Sequence, residues 1–391
     1  MDNSRDFREI AHSGGQIIYT FEPNESGGHS LSLRVVSSRP NAMAMVGIYA
    51  LPPGVPVAVM PIGGMFEPIP QPPLPNCLPI MIQSDSEGCF GHKCPACGNY
   101  WRSGPWPNLC PYCATRAPEI HFLSGAQRQY IEHCISMLHD AMTEDAGSVT
   151  IDMDAVADAT FSTAERPAFY VSDESQQRKF TCGSCDEFND ILGRFGYCSR
   201  CGTRSDLADF EGRSIVEIRE RLKAGGAPDS AVRDAVAAFD SFIAQYGKQL
   251  AELVPMTKQR KARLTGRAFH DLKKVRSTFS DWFDIDICRG MPDAEINRTQ
   301  VMFQRRHLYE HNGGEVDQHY LDESGDTTVK LKQVIHESAE SSHALLGSLI
   351  KMAKNVHAGF HELIPPLEGP IKAHADQTAH RRQLAAGMRN N

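Results

Sequence analysis

The sequence lacks a long apolar run, a basic leader and an excess of positive charge. No stretch approaches the roughly 18 apolar residues that a membrane-spanning helix needs, so we expect no membrane contact. The first six residues, Met1 to Asp6, do not lead from basic residues into an apolar core as a secretory signal does. We therefore expect a cytoplasmic location. Because the formal net charge is −8, any contact with a polyanion must come from a local patch.

The composition is typical of a globular protein, with 41% hydrophobic and 23% charged residues. A length of 391 residues corresponds to two to four domains. We predict a multidomain α+β fold with a β-rich N-terminal segment, two four-cysteine zinc ribbons and a C-terminal α-helical bundle. The predicted regions are a β-rich and proline-rich region at 1–85, a zinc ribbon at 86–117, an α/β connecting region at 118–179, a second ribbon at 180–208, the bundle at 228–366 and a disordered tail at 367–391.

The N-terminal region alternates apolar and polar residues in two places. Gln16–Phe21 and Leu31–Val36 have the period of two that is typical of strands. Ten prolines lie between Leu51 and Ile80, and because proline has no N–H and a fixed φ, they predict an extended linker or irregular wrap. A ligand for a proline-binding groove is the alternative.

The connecting region predicts one helix and one strand. Ser124 and Gln127 match a capping box. The helix that follows has an apolar face, and Val149–Met153 is predicted to be a strand. The predicted apolar face of the helix comprises Ile131, Cys134, Ile135, Leu138 and Met142.

Eight of the twelve cysteines occur as Cys-x-x-Cys pairs, and each quartet has twelve residues between its two pairs. Disulfides are not expected in a cytosolic chain, because that compartment keeps thiols reduced. Zn²⁺ prefers a tetrahedron of soft or borderline ligands, and two tight turns can supply four thiolates. The sequence predicts two structural zinc ions, one at Cys94, Cys97, Cys110 and Cys113, the other at Cys182, Cys185, Cys198 and Cys201.

Two alternatives to zinc fit less well. A redox dithiol needs a Cys-x-x-Cys in a thioredoxin-like βαβ setting, which the sequence does not contain. An iron–sulfur cluster is less favoured at this spacing. Closed all-cysteine coordination leaves no position for a substrate, so the predicted role is structural. The four other cysteines are predicted to be ordinary buried thiols: Cys77, Cys89, Cys134 and Cys288.

Each quartet resembles a zinc ribbon over some 25 residues, and the quartets lie 88 residues apart, which suggests an internal duplication. Ribbons bind DNA, RNA or protein, or simply stabilise a small domain, so a protein partner is one possibility. Tyr100, Trp101, Arg102 and Trp106 could stack on bases. The alternative is that these aromatic residues fill a small core.

From Asp229 onward the apolar residues follow helical spacing, which predicts a four-helix bundle. The first helix ends before Pro255, and the second starts at Thr257 with an apolar face from Leu264 through Ala268 to Trp282. The third begins at Pro292 and ends at Gly313-Gly314. The fourth has a stripe from Leu331 and Ile335 to Leu363, closed by Pro365-Pro366.

The third helix changes character in its last two turns. Ile296 and Phe303 define an apolar stripe, which continues into Arg306, His307, Glu310 and His311. An unpaired buried arginine is expensive. These residues are therefore expected to meet a partner or to line a cleft.

Arg306-His307-Leu308-Tyr309-Glu310-His311 resembles the hallmark of the HEPN superfamily, a group of helical domains that carry an arginine, a polar residue, three variable positions and a histidine near a helix end. The resemblance covers about residues 228 to 364. It implies metal-independent RNA cleavage by a homodimer, in which His311 moves a proton, Arg306 binds phosphate charge and His307 orients the pair or contacts phosphate. Toxin–antitoxin or antiphage action is the context typical of such proteins.

A basic segment supports an RNA partner, although a solvated face balanced by acidic loops is an equal alternative. Between Lys258 and Arg276 one acidic residue, Asp271, stands among eight basic ones. The candidate nucleic-acid-binding residues are Lys258, Arg260, Lys261, Arg263, Arg267, Lys273, Lys274 and Arg276.

Other functions remain open. The chain could be a non-catalytic zinc-binding adaptor for nucleic acid or protein. The helix-end Arg and His could be satisfied by Glu310 and backbone carbonyls, or the domain could be an inactive family member. His307 and His311, four residues apart, could also bind a metal, but no third ligand is evident in the sequence.

Overall fold

The chain forms two compact units, which we call the N-terminal unit and the helical unit. The N-terminal unit comprises the chain up to Thr203 and again from Leu367, and the helical unit comprises Arg204–Pro366. All strands of the described residues lie in the N-terminal unit, which confirms the predicted order of β sheets followed by helices. The computed structural model describes residues 15–23, 29–36, 44–60, 72–85, 87–144, 147–163, 176–266, 269 and 271–389.

The first sheet is antiparallel and has three strands. Strand β1 (Gln16–Pro23) lies between β2 (His29–Val36) and β8 (Ser148–Asp152). Alternate residues of β1, such as Ile17 and Tyr19, point into the core and are 1% and 0% exposed. All three predicted strands of this region are therefore confirmed.

The second sheet occupies the proline-rich segment. Strand β3 (Met45–Leu51) lies between β4 (Val55–Met60) and β5 (Leu78–Gln83). The predicted linker is wrong over β4 and β5, because Pro56 and Pro79 fall on edge strands, where a missing N–H costs no ladder hydrogen bond. The middle of the predicted linker, with Pro68 and Pro70, lies outside the described residues.

Helix α1 (Gly125–Thr143) packs against these sheets. Its capping box is formed as predicted, since the Gln127 N–H donates to Ser124 Oγ and the Ser124 N–H donates to Gln127 Oε1. Ile131 and Leu138 are fully buried beside core residues of both sheets, whereas Met142 at the end of the predicted face is 40% exposed. A second helix, α2, follows at Met153–Thr163.

The third sheet contains the cysteine modules. Its four antiparallel strands have the order β6-β7-β10-β9. The first module contributes β6 (Phe90–Lys93) and β7 (Tyr100–Ser103), and the second contributes β9 (Gln177–Thr181) and β10 (Phe188–Leu192). The two modules therefore share one sheet rather than forming separate ribbon domains.

The helical unit is built around one long helix. Helix α5 buries the predicted stripe, in which Val232, Phe239 and Leu250 are each 0% exposed, and it packs against α8 and α10. None of the helices in the described part of the chain is apolar and long enough to cross a lipid bilayer. In chain order the helices of the unit are α3 (Asp206–Asp209), a π-helical turn (Phe210–Ser214), α4 (Ile215–Lys223), α5 (Pro228–Leu253), α6 (Lys258–Thr265), α7 (Leu272–Phe283), α8 (Asp293–His311), α9 (Gln318–Ser324) and α10 (Ala339–Leu363).

The second predicted helix is interrupted. Helix α6 ends at the C-cap Gly266, and α7 starts after Asp271, whose carboxylate accepts hydrogen bonds from the first N–H groups of that helix. Between them Phe269 is buried, and its N–H donates to Asp240 at 2.5 Å. The predicted stripe crossed this break through Ala268, which lies outside the described residues.

The fourth predicted helix starts later than expected. Ser338 caps α10 through a capping box with Ser341, so Leu331 and Ile335 precede the helix. Ile335 is nevertheless buried, and its N–H donates to the Gly314 carbonyl. The short helix α9 was not predicted. At the start of α8, Pro292 is the N-cap residue rather than the first helical one.

The C-terminal region forms helix α11 (Glu368–Arg389) where we predicted a disordered tail. Pro370 is tolerated because it lies in the first turn, and alanine, glutamine and arginine favour the helix that follows. Ile371 packs against the second cysteine cluster, and the Leu367 N–H donates to the Cys201 carbonyl at 2.7 Å. These contacts anchor the start of the helix.

Candidate functional site

Four turns of the same construction present the eight cysteines. In each turn the N–H of the first cysteine donates to the carbonyl five residues on, and the N–H four residues on donates back to that cysteine, at 2.8–3.0 Å. The residue four positions on has a positive φ, which favours glycine at two of the turns. The four residues are Gly98 (72°), Ala114 (57°), Asp186 (61°) and Gly202 (83°).

The turns bring the predicted ligands together in two clusters. Within each cluster the four Sγ atoms lie within 4.8 Å of one another, and all eight cysteines are free thiols. In the first cluster Cys94–Cys113 and Cys97–Cys110 are each 3.7 Å apart. In the second, the corresponding distances are 3.6 Å for Cys182–Cys201 and 3.5 Å for Cys185–Cys198. Both predicted four-cysteine sites are confirmed as clusters able to hold a metal ion.

A hydroxyl group that can stabilise a thiolate lies beside one sulfur of each cluster. The hydroxyl of Thr115 lies 3.1 Å from Cys113 Sγ, and that of Thr203 lies 3.2 Å from Cys201 Sγ. Hydrogen bonds within the second cluster lower the pKa of Cys182 and raise the pKa of Cys185. Four thiols this close can lose all their protons only when a cation balances their charge.

The two modules are related by a pseudo-two-fold arrangement. Strands β7 and β10 pair so that Arg102 faces Asp190, and Asp190 is the residue 88 positions after Arg102. The backbone contacts are reciprocal: the Leu109 N–H donates to the Ser199 carbonyl, and the Tyr197 N–H donates to the Pro111 carbonyl. Tyr197 and Ser199 are the counterparts of Leu109 and Pro111 in the second module. This self-complementary contact is the geometry of a two-fold dimer, here within one chain, and it supports the predicted duplication.

Arg102 of the first module forms a buried ion pair with Asp190 of the second. Its guanidinium lies 2.6 Å from Asp190, 2.7 Å from Asp85 and 2.7 Å from Glu87. Burial raises the pKa of Asp190 although Arg102 opposes the shift. Arg102 is therefore a structural residue.

The proposed stacking residues do not form a base-binding surface. Trp101 is 0%, Arg102 7% and Tyr100 8% exposed, and Trp101 packs edge-on against Phe122. Trp106 is partly buried against the core of the first two sheets. The core-filling alternative is thus supported, and burial contradicts base stacking by Tyr100, Trp101 and Arg102.

The remaining four cysteines are buried, as predicted. Burial raises the pKa of Cys89 and of Cys134 to about 12. Since the thiolate is the reactive form, neither is a reactive nucleophile at neutral pH.

The predicted helix-end residues lie together on the last turn and a half of α8. Ile296 and Phe303 are buried as predicted, and His307 and His311 are exposed with ring centroids 4.6 Å apart. Arg306 pairs with Glu310 at 2.7 Å, and its side chain is 16% exposed. Its Nε is buried and has no hydrogen-bond partner among the described residues. Partial burial and the nearby His311 lower the pKa of His307, which favours a neutral ring.

Sequence reasoning missed the neighbouring Arg305. Its guanidinium lies 2.8 Å from Asp326 and 2.9 Å from Glu337, and its Nε donates to the Tyr320 hydroxyl. This network ties the segment after α8 to the bundle. The partners lie 15 to 32 residues away at no regular spacing, so no sequence pattern identified them.

The described residues of the basic segment are exposed on α6 and α7. Lys274 pairs with Asp271 at 3.0 Å, and no other ion pair of this segment occurs within the described residues. The Arg260 guanidinium lies 6.0 Å from the centre of the Trp282 ring. Arg267 is outside the described residues. The exposed set is Lys258, Arg260, Lys261, Arg263, Lys273, Lys274 and Arg276.

The six-residue motif thus lies at a helix end within a helical unit, as expected from its resemblance. Membership of the superfamily stays a prediction, because the position of a motif at a helix end does not by itself identify a family. No family model, curated protein or solved structure matches the chain.

Proposed function

We propose that each cysteine cluster binds one Zn²⁺ as a structural ion. In a tetrahedron with Zn–S bonds of about 2.3 Å, neighbouring sulfurs are ~3.8 Å apart. The Sγ distances of 3.5–3.7 Å support this assignment. Because the protein supplies all four ligands, the ion has no open position and its role is to hold the turns of each module together.

The metal content of untagged protein tests this proposal. We expect two zinc atoms per chain, measured by elemental analysis after dialysis against metal-free buffer. Replacing Cys198 with Ser should lower the content to one, whereas Cys77→Ser, in a buried thiol outside both clusters, should leave it at two. A preparation that keeps its folded structure with less than one metal per chain contradicts the proposal.

We propose further that Arg306, His307 and His311 cleave RNA without a metal ion. In this reaction the ribose 2′-hydroxyl attacks the adjacent phosphorus, the 5′-oxygen leaves, and a 2′,3′-cyclic phosphate remains. The 2′-hydroxyl loses a proton and the leaving 5′-oxygen gains one; His311 takes up or delivers one of these two protons, and water exchanges the other. Arg306 offers a fixed fork of donors to the charge that builds on the phosphate. His307 contacts phosphate or orients the other two.

The exposure of both histidines, side by side and next to an arginine, is the observation that carries this proposal. A substrate phosphate can reach the rings directly, since His311 is 58% exposed. The Glu310 carboxylate holds Arg306 in place and lies 3.8 Å from His311 Nε2. The depressed pKa of His307 supports a neutral ring that can accept a proton.

A homodimer and an RNA-binding surface complete the proposal. In HEPN domains two such motifs meet across a dimer interface, so the resemblance implies a homodimer. The exposed cations of α6 and α7 would hold the phosphate backbone, and Trp282 lies beside one of them, Arg260. We expect RNA affinity to fall with rising salt, and Lys261→Glu or Arg263→Glu to weaken binding without unfolding the bundle.

Cleavage of labelled single-stranded RNA in brief exposure to EDTA tests the catalytic assignment. Wild-type protein should release products with 2′,3′-cyclic phosphate ends. Arg306→Ala and His311→Ala should each reduce the rate by at least about 100-fold. Arg298→Ala, in an exposed arginine of the same helix, and His343→Ala, in an exposed histidine of α10, are matched controls that should retain the rate.

A non-catalytic adaptor is the second candidate. The Arg306–Glu310 pair has the four-residue spacing of an ordinary helix-surface ion pair, and this observation favours a satisfied helix end. Wild-type protein that binds RNA in a salt-dependent manner, and never cuts it in dimeric form, supports the adaptor over the nuclease.

A further inference from the structure

A third histidine lies beside the two at the end of α8. His319 is exposed on the short helix α9, and its ring centroid is 6.4 Å from that of His307. His307 is in turn 4.6 Å from His311. The sequence offered two histidines four residues apart and no third ligand. Folding of the segment after α8 supplies one.

The imidazoles are available to a ligand. Within the described residues neither His307 nor His319 forms a hydrogen bond, and the polar contact of His311 is the 3.8 Å approach to Glu310. Asp317 caps α9 through the Tyr320 N–H at 2.7 Å and accepts from Asn312. Its negative charge near His307 favours a bound cation.

The three rings are neighbours, with centroids 4.6 and 6.4 Å from that of His307, but their nitrogens do not converge on one point. Metal–nitrogen bonds of about 2.0–2.1 Å require the ligating atoms to come within about 3.5 Å of each other. Exposed side chains change rotamer within nanoseconds, so rotation of the rings can close the site. The Asp317 cap and the Arg305 network hold α9 against α8 while this occurs.

We propose that His307, His311 and His319 bind one divalent transition-metal ion, of the borderline class that prefers imidazole, such as Zn²⁺ or Ni²⁺. Two histidines one helical turn apart supply two of the three ligands, and His319 from the next helix supplies the third. This centre is distinct from the cysteine clusters because its ligands are neutral nitrogens on the exposed surface of the helical unit.

The site has a regulatory consequence that rests on the proposed function. A metal ion bound to His311 occupies the lone pair that would accept a proton during RNA cleavage. The ion therefore inhibits a reaction that itself needs no metal. Release of the ion restores the imidazole and with it the activity.

Calorimetric titration with NiCl₂ tests the site. The untagged protein holds zinc in its cysteine clusters and is dialysed against metal-free buffer beforehand, so that the histidines are empty. We expect one equivalent of Ni²⁺ to bind to wild-type protein. His319→Gln should weaken that affinity by about tenfold or more, and His343→Gln, an exposed histidine elsewhere in the helical unit, should not change it. If His319→Gln loses the wild-type circular dichroism spectrum, His307→Gln replaces it as the test of the same three ligands.

Affinity that is the same in His319→Gln and wild type overturns the proposal, as does an equal loss in His343→Gln. A second experiment measures the rate of RNA cleavage with Ni²⁺ and divides it, for each protein, by the rate of the same protein without Ni²⁺. That ratio should fall in wild type and be restored in His319→Gln. If no protein cleaves RNA, the nuclease fails while the titration still decides the metal site; cleavage without Ni²⁺ binding refutes the metal site alone.

Discussion

The two cysteine modules have the same spacing and the same turns, but the protein covers their sulfurs to different extents. All four cysteines of the second cluster are buried, with Cys198 and Cys201 at 0% exposure. In the first cluster Cys97 is exposed and Cys113 is half-buried. The reactivity of a thiolate depends on access. The same four-cysteine arrangement is therefore shielded from solvent in the second module and partly accessible in the first.

Counterpart residues of the modules also stabilise them by different means. Trp101 of the first module fills an apolar core with Phe122. Its counterpart Asn189 instead accepts a hydrogen bond from the Ser199 N–H at 2.8 Å, and its amide lies 3.8 Å from Cys198 Sγ. A single duplicated framework thus tolerates either an aromatic core or a buried hydrogen-bond network, provided that the four turns are kept.

The largest expected contrast is between one ligand of each cluster. Cys198→Ser should destabilise the N-terminal unit by on the order of 5 kcal/mol or more, because it removes a fully buried ligand of the proposed zinc ion. Cys97→Ser should cost less, since water can complete the coordination of an exposed ion. Thermal unfolding followed by circular dichroism, with zinc content measured in parallel, compares the two. Equal losses of stability would show that exposure does not distinguish the modules.

The contact between the modules is expected to give the next largest effect. Arg102→Met leaves Asp85 and Asp190 buried and charged without their partner, which should cost about 3–5 kcal/mol. Burial already raises the pKa of Asp190, so the folded variant takes up protons more readily than the unfolded chain. Its deficit should therefore shrink as pH falls.

Chemical denaturation of the Arg102→Met protein at pH 5 and pH 8 measures this pattern. Arg200→Ala is the control, because Arg200 is 45% exposed and its 3.5 Å contact with Glu187 should contribute no more than about 1 kcal/mol. A deficit that is independent of pH would place the role of Arg102 in packing instead of charge.

We expect the cysteines of the two clusters to differ about tenfold in alkylation rate, which corresponds to about 1.4 kcal/mol in activation free energy. With a chelator and iodoacetamide present, we expect Cys97 and Cys113 to be modified first and Cys198 and Cys201 last, as followed by peptide mass spectrometry. Buried Cys134 is an internal control for global unfolding. Modification of both clusters in one phase would mean that metal release follows unfolding of the shared sheet.

Local patterns could be predicted from the sequence, because their partners are close along the chain. The Cys-x-x-Cys turns depend on hydrogen bonds that span five residues, and the capping box of Ser124 and Gln127 spans three. Helix α5 follows from its apolar stripe alone.

Features that depend on long-range contacts were missed. The shared sheet requires β7 to find β10 across 88 residues, and two hydrophobic patterns give no register for such a pair. Arg305 looked no different from Arg306, yet it is Arg305 that is held by Asp326 and Glu337. For the candidate site, the sequence indicated the ligands and the helix-end motif but not His319, whose proximity arises from an unpredicted helix.

The smallest expected effect concerns the contact of the C-terminal helix with the second cluster. Ile371 of helix α11 packs against it and the Leu367 N–H bonds to Cys201, whereas α11 makes no such contact with the first cluster in the described residues. Ile371→Ser should raise the alkylation rate of Cys182 and Cys201 by roughly threefold while costing at most about 1 kcal/mol, since the side chain is only partly buried. Leu384→Ser, at a 52% exposed position of the same helix, should change neither value. If Ile371→Ser leaves the rate unchanged, the burial of the second cluster comes from its own module and not from the C-terminal helix.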